Sequence, residues 1–550
     1  MPRPTLIRGL ALLVVSCLAA VSAAVSGAAP AAAQEYVPIS GAGSTWSQNA
    51  LDQWRRNVNQ YGMKVNYQGT GSSDGRNQFR NGTVDFAVSE IPYGLSDGGV
   101  VDDPPSRDYA YMPIVAGGTS FMYNLKIGGK RVTNLRLSGP TLARIFTGAI
   151  TRWDDPAVAA DNPGLRLPAR RVVPVVRSDG SGTTAQLSTW LSKRHAATWD
   201  AWCKAAGRST PCGVTSNYPV AGGRGFVAQS GSLGVSGYVS QAQSEGAITY
   251  VEYSYALNSG FPVAKVLNDA GYYVEPKASN VAVGLLSARI NTDRGSSQYL
   301  TQILDGVYAS RDARSYPLSS YSYMVLPTAA EGTFNTAKGK TLGDFSYYFL
   351  CEGQQQAEVL GFSPLPINLV KAGLEQVRRI PGVEARSVDI KSCNNPTFSA
   401  SGENTLAKNA PQPPPCDRKG ATQCGTGTGG AKQATAVAPA AAGRPTATSP
   451  RAGTAAPRTG TTAVAPGLAA GAVAPVPQTG VVDPDTGVVV AGSEDGAVSG
   501  APVTAIPLSL TDAASGGSAA VLMAITALVL LLVALLPPVL SRRLRTAGDR

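Results

Sequence analysis

An α/β fold is predicted for the larger part of this chain, and three segments predict it. Each is a short apolar strand that runs into a glycine turn, a hydroxyl residue and a helical pattern. The first is Val37–Trp46, V-P-I-S-G-A-G-S-T-W. It leads into a stretch where Trp46, Ala50, Leu51, Trp54 and Val58 recur at helical spacing, with Ser44 or Thr45 as the expected N-cap. The second is Val65–Gly75, V-N-Y-Q-G-T-G-S-S-D-G, which places Ser72 and Ser73 at a helix start. In the third, the apolar run Val172–Val176 meets R-S-D-G-S-G-T at Arg177–Thr183, and Ser181, Gly182 and Thr183 open a helix. Strand and helix patterns go on alternating to about Leu285.

These junctions carry chemistry as well as topology. The first N–H groups of a helix have no intrahelical partner and bear partial positive charge, so they bind anions. Arg177 adds a planar fork of donors suited to phosphate or carboxylate. D-G-S-G-T alone is also ordinary turn chemistry. Three junctions of one kind point instead to a single anion held by several helix N-termini.

The same residues carry a family resemblance. G-A-G-S-T-W at Gly41–Trp46, N-Y-Q-G-T-G-S-S-D-G at Asn66–Gly75 and V-D-F-A-V-S-E at Val84–Glu90 resemble the phosphate-binding protein of high-affinity phosphate ABC transporters. The match continues in order through F-T-G-A-I-T-R-W-D-D-P at Phe146–Pro156, N-P-G-L-R-L-P at Asn162–Pro168 and the Arg177–Thr183 motif. It ends with A-I-T-Y-V-E-Y-S-Y-A at Ala247–Ala256 and L-E-Q-V-R at Leu374–Arg378, covering roughly residues 36–385. The resemblance implies a two-lobe, hinged periplasmic-binding-protein fold with the anion in the cleft at the strand C-terminal ends. One lobe would hold the first two motifs and the later segments from about residue 285; the other would hold Arg177–Thr183.

Carried over by position, the family's phosphate ligands fall on Thr45, Trp46, Ser72, Arg177, Ser181, Gly182 and Thr183. Asp179 matches an aspartate that pairs with the arginine and fixes its fork. The family binds through N–H groups, hydroxyls and the guanidinium, with no metal or other cofactor. Glu90 stands where the family has an aspartate that accepts a hydrogen bond from the protonated phosphate. A carboxylate only accepts, so it would repel an anion without a proton, such as sulfate. Glu90 keeps the charge and adds a methylene, which leaves the phosphate-over-sulfate preference open. Trp46 replaces a family phenylalanine, a tolerable change if only its backbone N–H binds. The implied partners are inorganic phosphate and an ABC permease with its ATPase, served by a monomeric binding protein that is not an enzyme.

The flanks read differently. Residues 1–33 form a secretory signal, with Arg3 and Arg8, an apolar run and Ala31-Ala32-Ala33 before Gln34. Val14-Val15-Ser16-Cys17 also resembles a lipobox, so lipidation at Cys17 competes with cleavage near Ala33. The binding domain is expected over residues 34–395. Residues 396–518, rich in Ala, Gly, Pro and Thr, read as a disordered tether with an r.m.s. reach of roughly 60 Å. Residues 519–540 are uncharged and long enough to span a bilayer, and Arg542, Arg543 and Arg545 place the tail 541–550 in the cytoplasm. The chain is therefore expected at the cell membrane, single-pass, with its domain outside.

The net charge of +11 leaves about +6 for residues 34–395 with no basic run, which argues against nucleic acid as a partner. Omitting Cys17, six cysteines remain, an even number suited to an oxidising compartment. Cys203 and Cys212 are close enough to clip a loop, as are Cys416 and Cys424, and Cys351 and Cys393 would then pair; six cysteines allow 15 connectivities. The single histidine, His195, follows Lys193 and Arg194 on what reads as an exposed helix end. No Ser-His-Asp set or metal cluster gathers near the serines above, so a phosphatase is disfavoured. Trp153, Asp154 and Asp155 read as structural.

Overall fold

The computed structural model describes residues 36–435, apart from 98–99, 297, 391–392, 400 and 434, together with 481–482 and 489–490. The signal stretch 1–33, Cys17, the span 519–540 and the tail 541–550 lie outside the described residues, as does most of the expected tether beyond 435. Among the described residues no helix is long and apolar enough to cross a membrane.

The three junctions form as strand, turn and helix. β1 (Ile39–Gly43) leads to α1 (Gln48–Asn59), which buries Ala50, Leu51, Trp54 and Val58 on one face. This helix starts later than expected, with Ser47 at its N-cap and no side-chain cap. The hydroxyls of Ser44 and Thr45 are engaged elsewhere, as described below, so neither caps it. β2 (Val65–Gln68) leads to α2 (Ser72–Arg80), and β3 (Phe86–Ser89) ends beside Glu90. β4 (Tyr109–Tyr123) is a long strand buried over almost its whole length. β5 (Val173–Arg177) leads to α3 (Gly182–Arg194), whose N-cap Ser181 accepts from the Thr184 N–H. A fourth junction follows: β6 (Val227–Gln229) runs into α4 (Gly231–Ser240). β7 (Ala247–Glu252) and β8 (Ser319–Pro327) complete the main sheet.

Its strand order is β6-β5-β7-β4-β8-β3-β1-β2. The outer trios are parallel, Val175 opposite Val227 on one side and Gly41 opposite Phe86 on the other. The antiparallel pair β4–β8 joins them, with a register shift at Ser322/Tyr323. Parallel strands place their C-terminal ends, and the helix starts that follow, on one edge. The two largest hydrophobic cores among the described residues form along this sheet. One gathers Trp54, Phe79, Phe86, Met112 and Phe345; the other gathers Phe121, Phe146, Trp153, Val176 and Tyr250. β4 supplies both, since Tyr111, Met112, Ile114, Val115 and Ala116 belong to the first while Phe121 and Tyr123 belong to the second.

The boundary expected at 395 is corrected by the structure, because residues 396–435 are packed onto the domain. A segment so rich in proline and glycine cannot build its own core, but it satisfies its backbone on groups of the domain. Arg136 donates to the carbonyls of Cys416 at 2.9 Å and Ala421 at 2.7 Å. Lys265 pairs with Asp417 at 2.5 Å, and Gly429 N–H reaches Glu275 at 2.7 Å. Thr428 is fully buried and donates to the Val263 carbonyl. Further along, Val481–Val482 pairs antiparallel with Val489–Val490 in a separate unit. Disulfides join Cys203 to Cys212, Cys351 to Cys393 and Cys416 to Cys424.

Candidate functional site

The helix starts converge where the two halves of the sheet meet. Ser73 N–H, in the first turn of α2, donates to the Gly180 carbonyl before α3 at 3.0 Å. The Ser73 hydroxyl also lies 3.1 Å from that of Ser216. Gly71 precedes α2 at φ +98°, a conformation open to glycine, and a Cβ there would sit 2.8 Å from the Asp179 carboxylate. The approach of the two turns is therefore written into a glycine.

Arg177, at the end of β5, is 3% exposed. Its Nε donates to Asp179 Oδ1 at 2.7 Å and its Nη2 to Oδ2, a two-pronged fork. Nη1 is directed toward the hydroxyls of Thr183 and Ser232, 3.4 Å from each. Asp179 also accepts from Gly231 N–H at the start of α4. Burial pushes the Asp179 carboxyl up, but the Arg177 contact and the Gly231 N–H outweigh it and hold it below the usual aspartate range. The charge of the arginine is thus shared with its own carboxylate.

Thr45 links the halves. Its hydroxyl lies 2.9 Å from that of Ser232 and accepts from Ser232 N–H, while its carbonyl accepts from the Tyr255 hydroxyl. Trp46 is fully buried; its N–H donates to Ser44 Oγ at 3.0 Å and its ring packs edge-on against Phe362. The hydroxyl of Ser181 is used as the α3 cap.

Glu90 is 2% exposed and lies among hydroxyls. Ser44 donates to its Oε2 at 2.7 Å, Ser72 to the same oxygen at 3.0 Å, and Ser322 to Oε1 at 2.5 Å. Burial raises its pKa, against the downward pull of those three hydroxyls and of Arg177. The carboxylate also overhangs the start of α3: a Cβ on Gly182 would lie 1.8 Å from Oε2 and 2.5 Å from Ser72 Oγ. Gly182→Ala is therefore expected to displace Glu90 and to weaken anion binding about tenfold or more, about 1.4 kcal/mol. Calorimetric titration with phosphate would read this, and an unchanged affinity would refute it.

The arrangement is a ring of N–H and O–H donors with one fixed guanidinium and one buried acceptor. Such a site suits a tetrahedral oxyanion that carries at least one proton. Comparison with known proteins places the chain as a whole. A family model described as the PBP superfamily domain matches residues 24–352. The phosphate-binding protein PstS of Xylella fastidiosa is 33% identical over 344 residues, 62% of this chain and 85% of that protein. The protein of the same name from Methanocaldococcus jannaschii is 31% identical over 356 residues, again 62% and 85%. This chain belongs to that family of phosphate-binding proteins, within the PBP superfamily.

As a member of the family it keeps the expected set together. Thr45, Trp46, Ser72, Glu90, Arg177, Ser181, Gly182 and Thr183 all lie at this junction, with Asp179 behind the arginine. Ser232 and Ser322 were not foreseen. Ser232 follows a three-residue strand too short to show alternation, although S-G-S at Ser230–Ser232 repeats the hydroxyl–glycine signature of the other junctions. Ser322 lies within a strand, S-S-Y-S-Y-M-V-L-P, where a serine reads as ordinary packing. Two peripheral expectations also meet the structure. His195 is half-buried, not an open helix end: it packs edge-on against Trp190, and burial, with Arg194 adding to it, lowers its pKa to about 4. Trp153 is fully buried, Asp155 caps the helix Pro156–Asp161 and Asp154 pairs with Arg152, all structural duties.

Proposed function

We propose that this protein captures inorganic phosphate between its two hinged lobes and delivers it to an ABC-type phosphate importer. One observation carries the reading: Ser44, Ser72 and the α3 start at Gly182 meet at a buried acceptor, Glu90, while Arg177 and Thr45 meet at Ser232 in the same junction. Phosphate keeps a proton near neutral pH and can donate it to Glu90, whereas sulfate offers that carboxylate only a second acceptor. Opposing acceptors in a buried site cost a few kcal/mol, enough for roughly thousandfold discrimination. Each half of the sheet supplies part of the donor set, so the anion would favour the closed form. The function is binding and presentation, not catalysis.

The remaining organisation follows the same reading. The signal exports the domain, the span 519–540 holds it at the membrane, and the chain works as a monomer beside a permease and its ATPase. A membrane-tethered sensor or scavenger uncoupled from transport is the second reading, favoured by an anchor placed at the C-terminus. Loss of phosphate uptake on deleting the gene would separate the two, unchanged uptake counting against transport.

The direct test is calorimetric titration of the purified full chain, in detergent, with phosphate and with sulfate at neutral pH. Tight one-to-one phosphate binding with no sulfate signal is expected. Equal or stronger sulfate binding would overturn the phosphate assignment. Glu90→Gln should admit sulfate, because an amide donates as well as accepts; if sulfate still fails to bind, Glu90 is not the discriminator.

A further inference from the structure

The environment of Glu90 poses a question that an acceptor role alone does not answer. A buried carboxylate normally takes a cation as partner, or else takes up a proton. Here the fork of Arg177 is committed to Asp179. The other titratable groups facing Glu90 supply no cation: they are Glu252 on β7, fully buried, and the phenols of Tyr67 on β2 and Tyr323 on β8, and the Glu90 charge helps to push the pKa of each of them up. Arg177 acts on it only through space. What touches the carboxylate is three serine hydroxyls, and they come from three separate elements.

Ser44 and Ser322 differ from Ser72 in their connections. Ser44 Oγ accepts the Trp46 N–H, which leaves its own hydrogen for Glu90. Ser322 Oγ also lies 3.1 Å from Ser47 Oγ, which can accept from it, but its contact to Glu90 is the shorter of the two. Ser44 is thus polarised as a donor toward the carboxylate, and Ser322 directs its hydroxyl to the other oxygen from a separate strand. A hydroxyl also accepts. The same shell can therefore receive a proton from a neutral Glu90 without any group moving.

We propose that Ser44 and Ser322 are positioning residues that keep Glu90 an ionised acceptor, so that the proton on Glu90 gates which oxyanion the site admits. This rests on the phosphate reading of the site and deepens it. An ionised Glu90 rejects an oxyanion that has no proton to offer. A protonated Glu90 has an O–H of its own to donate, and the rejection is lost. Selectivity against sulfate is then complete at higher pH and fades as pH falls through the Glu90 titration. Removing one donor hydroxyl raises the pH at which it fades. Sulfate is the cleaner probe, because phosphate changes its own protonation near neutral pH while sulfate does not.

The test is the ratio of sulfate to phosphate affinity between pH 5 and pH 8, measured calorimetrically on the full chain in detergent. In the unaltered protein sulfate binding should emerge only toward the acid end. In Ser322→Ala it should emerge about one pH unit or more higher, since a hydrogen bond to a charged group is worth at least that shift. Ser322→Thr, which restores a hydroxyl, should return the profile toward the original. Ser44→Ala is read the same way from a different element, so poor folding of one variant leaves the test intact. Superimposable profiles for all variants, with phosphate still bound, would overturn the role of the serines alone. No phosphate binding by the unaltered chain at any pH would overturn the phosphate reading, and this inference with it.

Discussion

Arg177→Ala is expected to weaken phosphate binding about 30- to 1,000-fold, about 2–4 kcal/mol. The variant removes the guanidinium that, among the described residues, reaches the Thr183 and Ser232 hydroxyls. It also leaves Asp179 partly buried with the Gly231 N–H as its remaining contact from α4. An unpartnered carboxylate then faces an anion site, so the loss exceeds that of a single hydrogen bond. Arg177→Lys keeps the charge without the planar fork and should fall between the two. Calorimetric titration reads the effect, with circular dichroism as a check on folding. An affinity within twofold of the original would remove Arg177 from the site.

The second large effect concerns stability. A chain ended after residue 395 should be much less stable than one ended after 435, by on the order of 5 kcal/mol. Truncation strips Arg136 of two carbonyl partners and Lys265 of Asp417. Hydrogen bonds to charged groups contribute about 1.5–3 kcal/mol each, and groups left unpaired in a buried setting lose more. The same cut removes Thr428 from between Val263 and Thr133 and the Thr397 hydroxyl from the Leu365 carbonyl. Thermal unfolding of the two truncated chains side by side would decide it. Equal midpoints would mean that the segment decorates the domain without supporting it.

How much of this was legible in the sequence depends on how local the signal is. The junctions at Gly43, Gly71 and Gly180 were readable because strand, turn and helix start lie within a dozen residues. Arg177 and Asp179 were readable because they are two positions apart on one turn. Ser322 was not, since it reaches Glu90 across 232 positions from inside a strand. Ser232 meets Thr45 across 187 positions, and only the fold brings them together. Glu90 itself was found through the family resemblance, yet its overhang of Gly182 depends on side-chain reach that no motif records. The error at 396–435 has a different origin. Composition reports whether a segment can make its own core, and is silent on whether it can borrow partners such as Arg136 and Lys265 from one already built.

The strand order has a consequence in time. β3 and β4 have no bonds to each other in the sheet; each pairs with β8, which lies between them and is made last. Until residue 327 has been synthesised, the chain holds two unjoined half-sheets with their inner edges open. Pairings this distant in sequence form slowly, because a long loop must close before any contact is gained. A polypeptide built in this order keeps its two halves apart until β8 is present, and the donor set at their junction is assembled only when that strand locks them into one.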